Sequence, residues 1–172
     1  VMSLRCFIGP EGNLLDSKPE QAHRISLDHP IISNQELTNI KHMDHCGLTS
    51  KVISINYDAN NSEGYIDAIN RICAEASSAI ENGFSFIILS DRNISKTDIP
   101  LSALIACGAV HHHLVRNEQR TQIGIVIETG EAREVHHHCL LAGYGADAIN
   151  PYLAFEALWR ANEEHLLGGK HF

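Results

Sequence analysis

The run of apolar residues at positions 123–127 constrains the fold of this chain more than any other stretch. It consists of isoleucine, valine and glycine without polar alternation, which is typical of a strand covered on both faces in a parallel sheet. A turn at Thr129 and Gly130 follows, and then a helix predicted over residues 131–142 and a strand predicted over residues 146–149. This succession of strand, helix and strand predicts an α/β fold.

Similar units precede this one along the chain. Residues 51–57 are β-branched and alternate, which predicts a strand, and residues 65–82 carry apolar side chains at helical spacing. A second apolar strand is predicted over residues 84–89. The next helix is expected to be capped by Asp98, to carry Pro100 in its first turn, and to be buried on two sides.

A final helix, predicted over residues 151–164, completes four consecutive β-α units with a parallel sheet. Such units either curl as a half-barrel or lie as an open sheet, and periodicity does not distinguish the two. We predict an extended arm over residues 1–48, an α/β part over residues 49–165 and a frayed tail over residues 166–172. The arm is expected to pack on another part of the protein.

The arm contains one recognisable helix start. Ser33 suits the N-cap position and Glu36 follows three residues later, which is the pattern of a capping box. We predict a short helix that ends near His42.

Polar residues follow two of the predicted strands, and the carboxyl ends of parallel strands are where α/β proteins place their sites. These residues are therefore candidates for binding a ligand or for contacting another domain. After the earlier strand they are Ser90, Asp91 and Arg92, and after the later strand they are Glu128, Gly130, Glu131 and Arg133.

The alternative is that these residues form caps and ion pairs that fix the turns between strands and helices. Glu131 is predicted to begin a helix, and the helix dipole favours an ionised carboxylate there, which makes a weak general base. The sequence also contains no nucleophile elbow and no G-x-G-x-x-G fingerprint. We therefore assign no catalytic residue.

Two runs of three histidines, at residues 111–113 and 136–138, raise the possibility of a metal site. Consecutive residues of a helix point about 100° apart, so one run cannot direct all three rings at one ion. Zinc would require histidines from both runs to converge with a carboxylate or a thiolate. We predict no metal site, and we expect these histidines in the core or at an interface, bonded to the backbone.

Composition excludes several classes of function. A formal net charge of −8 and a pI near 5.8 disfavour binding to nucleic acid or to an anionic membrane. The apolar runs are shorter than the roughly 18 residues that a membrane span requires. Five cysteines without a C-x-x-C pair predict free thiols, buried or half-buried, in a reducing compartment. The initial Val1 suggests a piece of a longer polypeptide.

Several short motifs lie at residues 1–4, 9–15, 88–92, 109–114, 131–137, 143–148 and 150–153. Taken in order, these motifs resemble the central domain of the large chain of glutamate synthase. The resemblance extends from residue 1 to about residue 160.

The resemblance implies an enzyme that converts L-glutamine and 2-oxoglutarate into two L-glutamates, with electrons passing through FMN and an iron-sulfur cluster. In that family an amidotransferase domain releases ammonia, and a later barrel domain binds FMN, the cluster and 2-oxoglutarate. The central domain joins the two and helps to shape the route of ammonia. The resemblance implies no cofactor and no catalytic residue in this chain. It also implies that the protein is cytoplasmic, or lies in a plastid if it comes from a plant.

Three hypotheses follow. The first is a connecting domain that is inactive alone and prone to self-association through surface that its neighbours normally cover. The second is a half-barrel that binds a small anionic ligand at Arg92, Glu128, Gly130 and Arg133. The third is a metal hydrolase that uses the histidine runs.

Overall fold

A computed structural model describes residues 3–13, 15–16, 18–60 and 64–168 of the chain. The strands are β1 (Cys6–Ile8), β2 (Ile25–Leu27), β3 (Ser50–Ser54), β4 (Asn56–Asp58), β5 (Phe86–Ser90), β6 (Asp98–Pro100), β7 (Gly124–Glu128) and β8 (Ala148–Asn150). The helices are α1 (Asn34–Lys41), α2 (Tyr65–Glu81), α3 (Ala103–Arg116), α4 (Val135–Gly143) and α5 (Tyr152–Glu163).

The centre of the fold is a parallel sheet of four strands in the order β3-β5-β7-β8. Helices connect its strands, so the predicted α/β class with a parallel sheet is confirmed, and the sheet is open. Strand β8 forms one edge of the sheet. A parallel bridge between Ile31 and Ile149 covers part of that edge.

One face of the sheet packs against helices α2, α3 and α4. Side chains at alternate strand positions form this core, as expected where strands are covered on both sides. Helix α3 contacts α2, α4 and the sheet, which agrees with its predicted burial on two sides. This core includes Ile53, Ile72, Ile87, Leu89, Val110, Leu114, Ile125 and Ile127.

The arm covers the opposite face of the sheet. Strands β1 and β2 form a two-stranded antiparallel sheet, and α1 follows them. The arm therefore packs on the sheet, as expected, and its division from the α/β part at residue 48 stays a prediction. Its core includes Ile8, Leu27, Ile32, Leu37 and Ile40, in one cluster with Phe86, Ile88, Val126 and Ala148 of the sheet.

Helix α1 begins where the sequence predicts. The Ser33 hydroxyl accepts a hydrogen bond from the Glu36 N–H, and the Glu36 carboxylate accepts one from the Ser33 N–H at 2.7 Å. His42 is the C-cap. The pattern is local in sequence, and the structure confirms both ends of the helix.

The helix start predicted at Asp98 is wrong. Residues Asp98–Pro100 form β6, which pairs antiparallel with β4, and α3 begins at Ala103 after Ser102. Pro100 is tolerated at this position because it lies in a short two-stranded sheet outside the main ladder.

The strand predicted over residues 51–57 is divided at Ile55 because of the same pairing. Its second part, β4, leaves the central sheet to pair with β6.

The helix predicted from residue 131 begins only at Val135, with Glu134 as the N-cap. Residues 131–134 are a loop that buries Ala132, which is 1% exposed, against the helix-side core. Glu131 consequently does not start α4.

The cysteines are free, as predicted, but their predicted burial is only partly right. Cys73 and Cys107 are buried and Cys6 is half-buried, whereas Cys46 and Cys139 are exposed.

Within the described ranges, no helix combines the length and the apolar character that crossing a membrane requires. Of the predicted frayed tail, residues 169–172 lie outside the described residues.

Candidate functional site

The candidate site lies where the parallel strands end. Ser90, Glu128 and Asn150 are the last residues of β5, β7 and β8 and stand beside each other in register. Because neighbouring parallel strands place registered side chains on the same face, the three side chains point toward the arm. All three are buried.

Glu128 is the centre of this group and is only 1% exposed. Its Oε2 accepts hydrogen bonds from Lys41 Nζ and Ser90 Oγ, each at 2.7 Å, and its Oε1 accepts one from Arg92 Nε at 2.8 Å. Burial raises the pKa of the Glu128 carboxyl, but the bonds from Lys41, Ser90 and Arg92 outweigh it, so the pKa lies below its ordinary value. Glu128 is therefore a fully bonded carboxylate and a poor proton acceptor.

Arg92 connects Glu128 to the start of α5. Its guanidinium lies 4.1 Å from the centre of the Tyr152 ring, a cation–π distance. Tyr152 is 6% exposed. Burial, together with the neighbouring Asp91 carboxylate, raises the pKa of its phenol, so the hydroxyl stays protonated.

Asp91 fixes the turn after β7. Its Oδ2 accepts hydrogen bonds from Thr129 Oγ1 at 2.6 Å and from the Gly130 N–H at 2.8 Å. Thr129 Oγ1 in turn accepts one from the Glu131 N–H. The other oxygen, Oδ1, is buried and has no hydrogen-bond partner among the described residues. The role of Asp91 seen here is to hold two neighbouring strand ends together.

Asn150 joins the last strand to the arm. Its amide Nδ2 donates to Ile32 O at 2.9 Å and to Asn34 Oδ1 at 3.0 Å. Helix α1 thus crosses the strand ends, with Asn34 at its beginning over β8 and Lys41 at its end over β7. The polar side chains of Ser90, Glu128 and Asn150 lie under α1, and the bonds of Glu128 and Asn150 to the arm hold it against the sheet.

The structure brings some of the predicted site residues together and separates others. Ser90, Arg92 and Glu128 form one network, and Asp91 and Gly130 are hydrogen-bonded to each other beside it. Sequence reasoning missed Lys41, Thr129, Asn150 and Tyr152. Asn150 ends a buried strand just as Glu128 does, so the same rule could have found it.

Glu131 and Arg133 lie apart from this network. Glu131 Oε2 accepts a hydrogen bond from the Ala103 N–H at 2.8 Å and one from Ser102 Oγ at 3.2 Å, so it caps α3. Arg133 lines a cavity of about 300 Å³ between the first turns of α3 and α4. The four residues of the predicted anionic-ligand site are thus distributed over more than one place.

Four of the six histidines in the two runs have separate partners, whereas His112 and His136 are exposed and so do not lie in the core as expected. His111 Nδ1 accepts from Arg120 Nε, and His113 Nε2 lies 3.0 Å from Ser77 Oγ. His137 Nδ1 accepts from the Arg133 N–H, and His138 Nδ1 lies 2.8 Å from Glu134 O. Across the described ranges, no three His, Cys, Asp or Glu side chains are grouped in a way that could hold a metal ion.

The arrangement can anchor and orient, and it offers little for proton transfer. The network around Glu128 consists of ionised or hydroxyl groups that are already bonded to each other. Such a network holds the arm, the sheet and the start of α5 in one geometry.

Comparison with known proteins gives consistent matches. The family described as glutamate synthase central domain matches residues 1–171. The NADH glutamate synthase of Schizosaccharomyces pombe is 49% identical over 161 residues, which cover 92% of this chain and 8% of the relative. That of Saccharomyces cerevisiae is 44% identical over 170 residues, which cover 97% of this chain and 8% of the relative.

More distant relatives extend the same pattern. The NADPH glutamate synthase large chain of Bacillus subtilis is 40% identical over 155 residues, which cover 90% of this chain and 10% of the relative. The chain therefore spans only 8–10% of the length of these three relatives.

Proposed function

Because the chain belongs to the glutamate synthase central domain family, we propose that it connects an amidotransferase domain to an FMN-binding domain within one polypeptide. The whole protein would convert L-glutamine, 2-oxoglutarate and a reductant into two L-glutamates. A pyridine nucleotide is the proposed reductant, since the two NADH-dependent relatives, at 49% and 44% identity, exceed the ferredoxin-dependent ones at 36–39%. The proposed location is the cytoplasm, or a plastid in a plant.

The observation that carries this proposal is the exposure of α5. Tyr152 is the one residue of this helix that is buried. Leu158 and Trp159 are 41% and 69% exposed, and Phe155 lies on the same side at helical spacing. We call these three residues the α5 face. A large exposed apolar patch marks a surface that a partner covers, and we propose the FMN-binding domain as that partner.

The cysteines of this chain do not fit the iron-sulfur cluster of the family. An iron-sulfur cluster is held by cysteine thiolates, and here Cys73 and Cys107 are buried in the helix-side core. The described part of the chain groups no three His, Cys, Asp or Glu side chains around one point. We therefore place the cluster elsewhere in the polypeptide. We propose that FMN is bound by the barrel domain that the family resemblance implies, and we derive no step through either group.

A calorimetric titration of this chain with a separately produced FMN-binding domain of the same enzyme tests the connector role. We expect saturable binding and no glutamate formation by the chain alone. Replacing Leu158 and Trp159 by serine should weaken the binding. The matched control is Val115→Ser, which removes a side chain of similar exposure, 48%, from α3.

Two results would contradict the proposal. One is the absence of binding by a chain whose circular dichroism shows it to be folded. The other is equal binding by the α5 variant and the wild type, which would place the partner surface elsewhere.

A further inference from the structure

The cavity beside Arg133 is lined both by polar side chains and by leucines. Its volume of about 300 Å³ lies at the small end of the range for small-molecule pockets. It opens between the first turn of α3, the loop after β7 and the first turns of α4. Its lining includes Ser102, Leu104, Glu131, Arg133, His137 and Leu140.

The loop after β7 directs two opposite charges toward this cavity. Ala132 is buried, whereas its neighbours Glu131 and Arg133 are exposed, so the two charged side chains leave the same side of the loop. Both of them line the cavity. A negative and a positive group therefore stand close together at its edge.

Among the described residues, neither the Glu131 carboxylate nor the Arg133 guanidinium has all of its polar atoms paired. Glu131 uses Oε2 to cap α3, and the structure gives no hydrogen bond to its Oε1 from the described residues. Within the same ranges, the Arg133 guanidinium has neither an ion pair nor a hydrogen bond. Its backbone N–H donates to His137 Nδ1, so that nitrogen carries no proton in this geometry. The partner of the other ring nitrogen is Glu134 Oε1, at 3.6 Å.

Leucines form an apolar part of the cavity wall. Leu104 projects from α3, and Leu140 and Leu141 project from α4. Such a wall favours a short hydrocarbon side chain and disfavours a third charge, because an unpaired charge would lose its hydration there.

We propose that this cavity binds a free α-amino acid with an uncharged, aliphatic side chain. The carboxylate of the amino acid pairs with Arg133, and its ammonium group pairs with Glu131 Oε1. The side chain lies against Leu104 and Leu140. The site is separate from the α5 face, so this inference does not depend on the connector function.

Three probes of similar shape test the two charge contacts separately. L-Leucine carries both charges, 4-methylpentanoate carries only the carboxylate, and 3-methylbutylamine carries only the ammonium group. We expect L-leucine to shift the backbone amide signals of Ala103, Leu104 and Ala132 in a saturable NMR titration of the chain. Each single-charge probe should bind about tenfold more weakly, since it loses one charge-assisted contact.

Variants separate binding from folding. Arg133→Gln should weaken L-leucine binding about tenfold and leave 3-methylbutylamine unaffected. Glu131→Gln should also weaken L-leucine binding about tenfold, but it should leave 4-methylpentanoate unaffected. The variant should still fold, because a glutamine oxygen can still cap α3. Leu104→Trp should abolish binding by filling the cavity. The control is Arg160→Gln, which removes an exposed arginine from α5 and should change nothing.

The proposal fails if L-leucine causes no saturable shift in the folded wild-type chain. It also fails if all three probes bind equally, or if Leu104→Trp binds like the wild type while remaining folded. Because the titration needs no FMN-binding domain, its result is independent of the test of the connector role.

Discussion

The ammonium group of Lys41 lies 2.7 Å from Oε2 of Glu128, a residue 87 positions further along the chain. Lys41 is the last residue of α1 and Glu128 the last residue of β7. The Glu128 side chain is 2% exposed and that of Lys41 is 25% exposed. This pair holds the arm against the sheet at its carboxyl edge.

Replacing Glu128 by alanine should lower the free energy of unfolding by about 3 kcal/mol, because it removes every acceptor that Lys41, Ser90 and Arg92 share. Lys41→Met should cost less, about 1–2 kcal/mol, since Arg92 and Ser90 still bond to the carboxylate. Urea denaturation followed by circular dichroism measures both. The matched control is Lys51→Met at an exposed position of β3, which should change stability by less than about 0.5 kcal/mol. Equal effects of Lys41→Met and Lys51→Met would contradict the anchoring role.

Glu128 should also make the fold sensitive to acid. Its pKa in the folded chain lies below the ordinary value of 4.5, so its contribution is complete above about pH 4.5. The contribution is then lost as the pH falls through the folded-state pKa. Urea midpoints measured between pH 7 and pH 3 should fall less steeply at the acid end for Glu128→Gln than for the wild type. Parallel curves would show that other carboxyls govern the acid response.

Gly124 is needed for close packing in β7. A Cβ added there would lie 2.8 Å from Phe86 Cδ1 and 3.2 Å from the Gly9 nitrogen, and neither the buried ring nor the backbone can easily move. Gly124→Ala should therefore cost about 1–3 kcal/mol. Gly143→Ala is the control, because nothing lies within 4 Å of its added Cβ. It should leave the free energy of unfolding unchanged or raise it by up to about 1 kcal/mol, as measured by urea denaturation.

The five thiols should differ in reactivity. Burial raises the pKa of Cys107 to about 12 and raises that of Cys73, whereas Cys46 and Cys139 are exposed. Ellman's reagent at pH 8 should label Cys46 and Cys139 quickly, and it should reach Cys73 and Cys107 only after denaturation. Cys46→Ser and Cys139→Ser should each remove one fast equivalent. Fast labelling of Cys107 in the folded chain would contradict its place in the core.

Local signals in the sequence predict the regular elements well. The apolar run at 123–127 and the helical spacing at 65–82 correspond closely to β7 and α2. The start of α3 could not be predicted in this way. Asp98 and Pro100 are ordinary helix-start residues, and only the distant pairing of β6 with β4 makes them a strand.

The difference between local signals and long-range contacts also explains which parts of the candidate site could be predicted from the sequence. The convergence of Ser90, Arg92 and Glu128 follows from the parallel sheet, because strand ends meet at one edge. Lys41 comes from the arm, whose position over the sheet leaves no local mark in the sequence. The sequence predicts Glu131 as the start of α4, whereas the turn that buries Ala132 directs it to the N-terminus of α3.

The bond between Asn150 and Ile32 joins positions 118 residues apart, and this separation affects synthesis of the protein. At roughly 5–20 residues per second, a ribosome needs about 6–24 s to progress from one residue to the other. During that interval Ile32, Leu37 and Ile40 have no completed sheet to cover. Their apolar side chains are available to chaperones or to other nascent chains until β8 emerges. The speed of translation through residues 33–150 therefore sets how long these side chains stay uncovered.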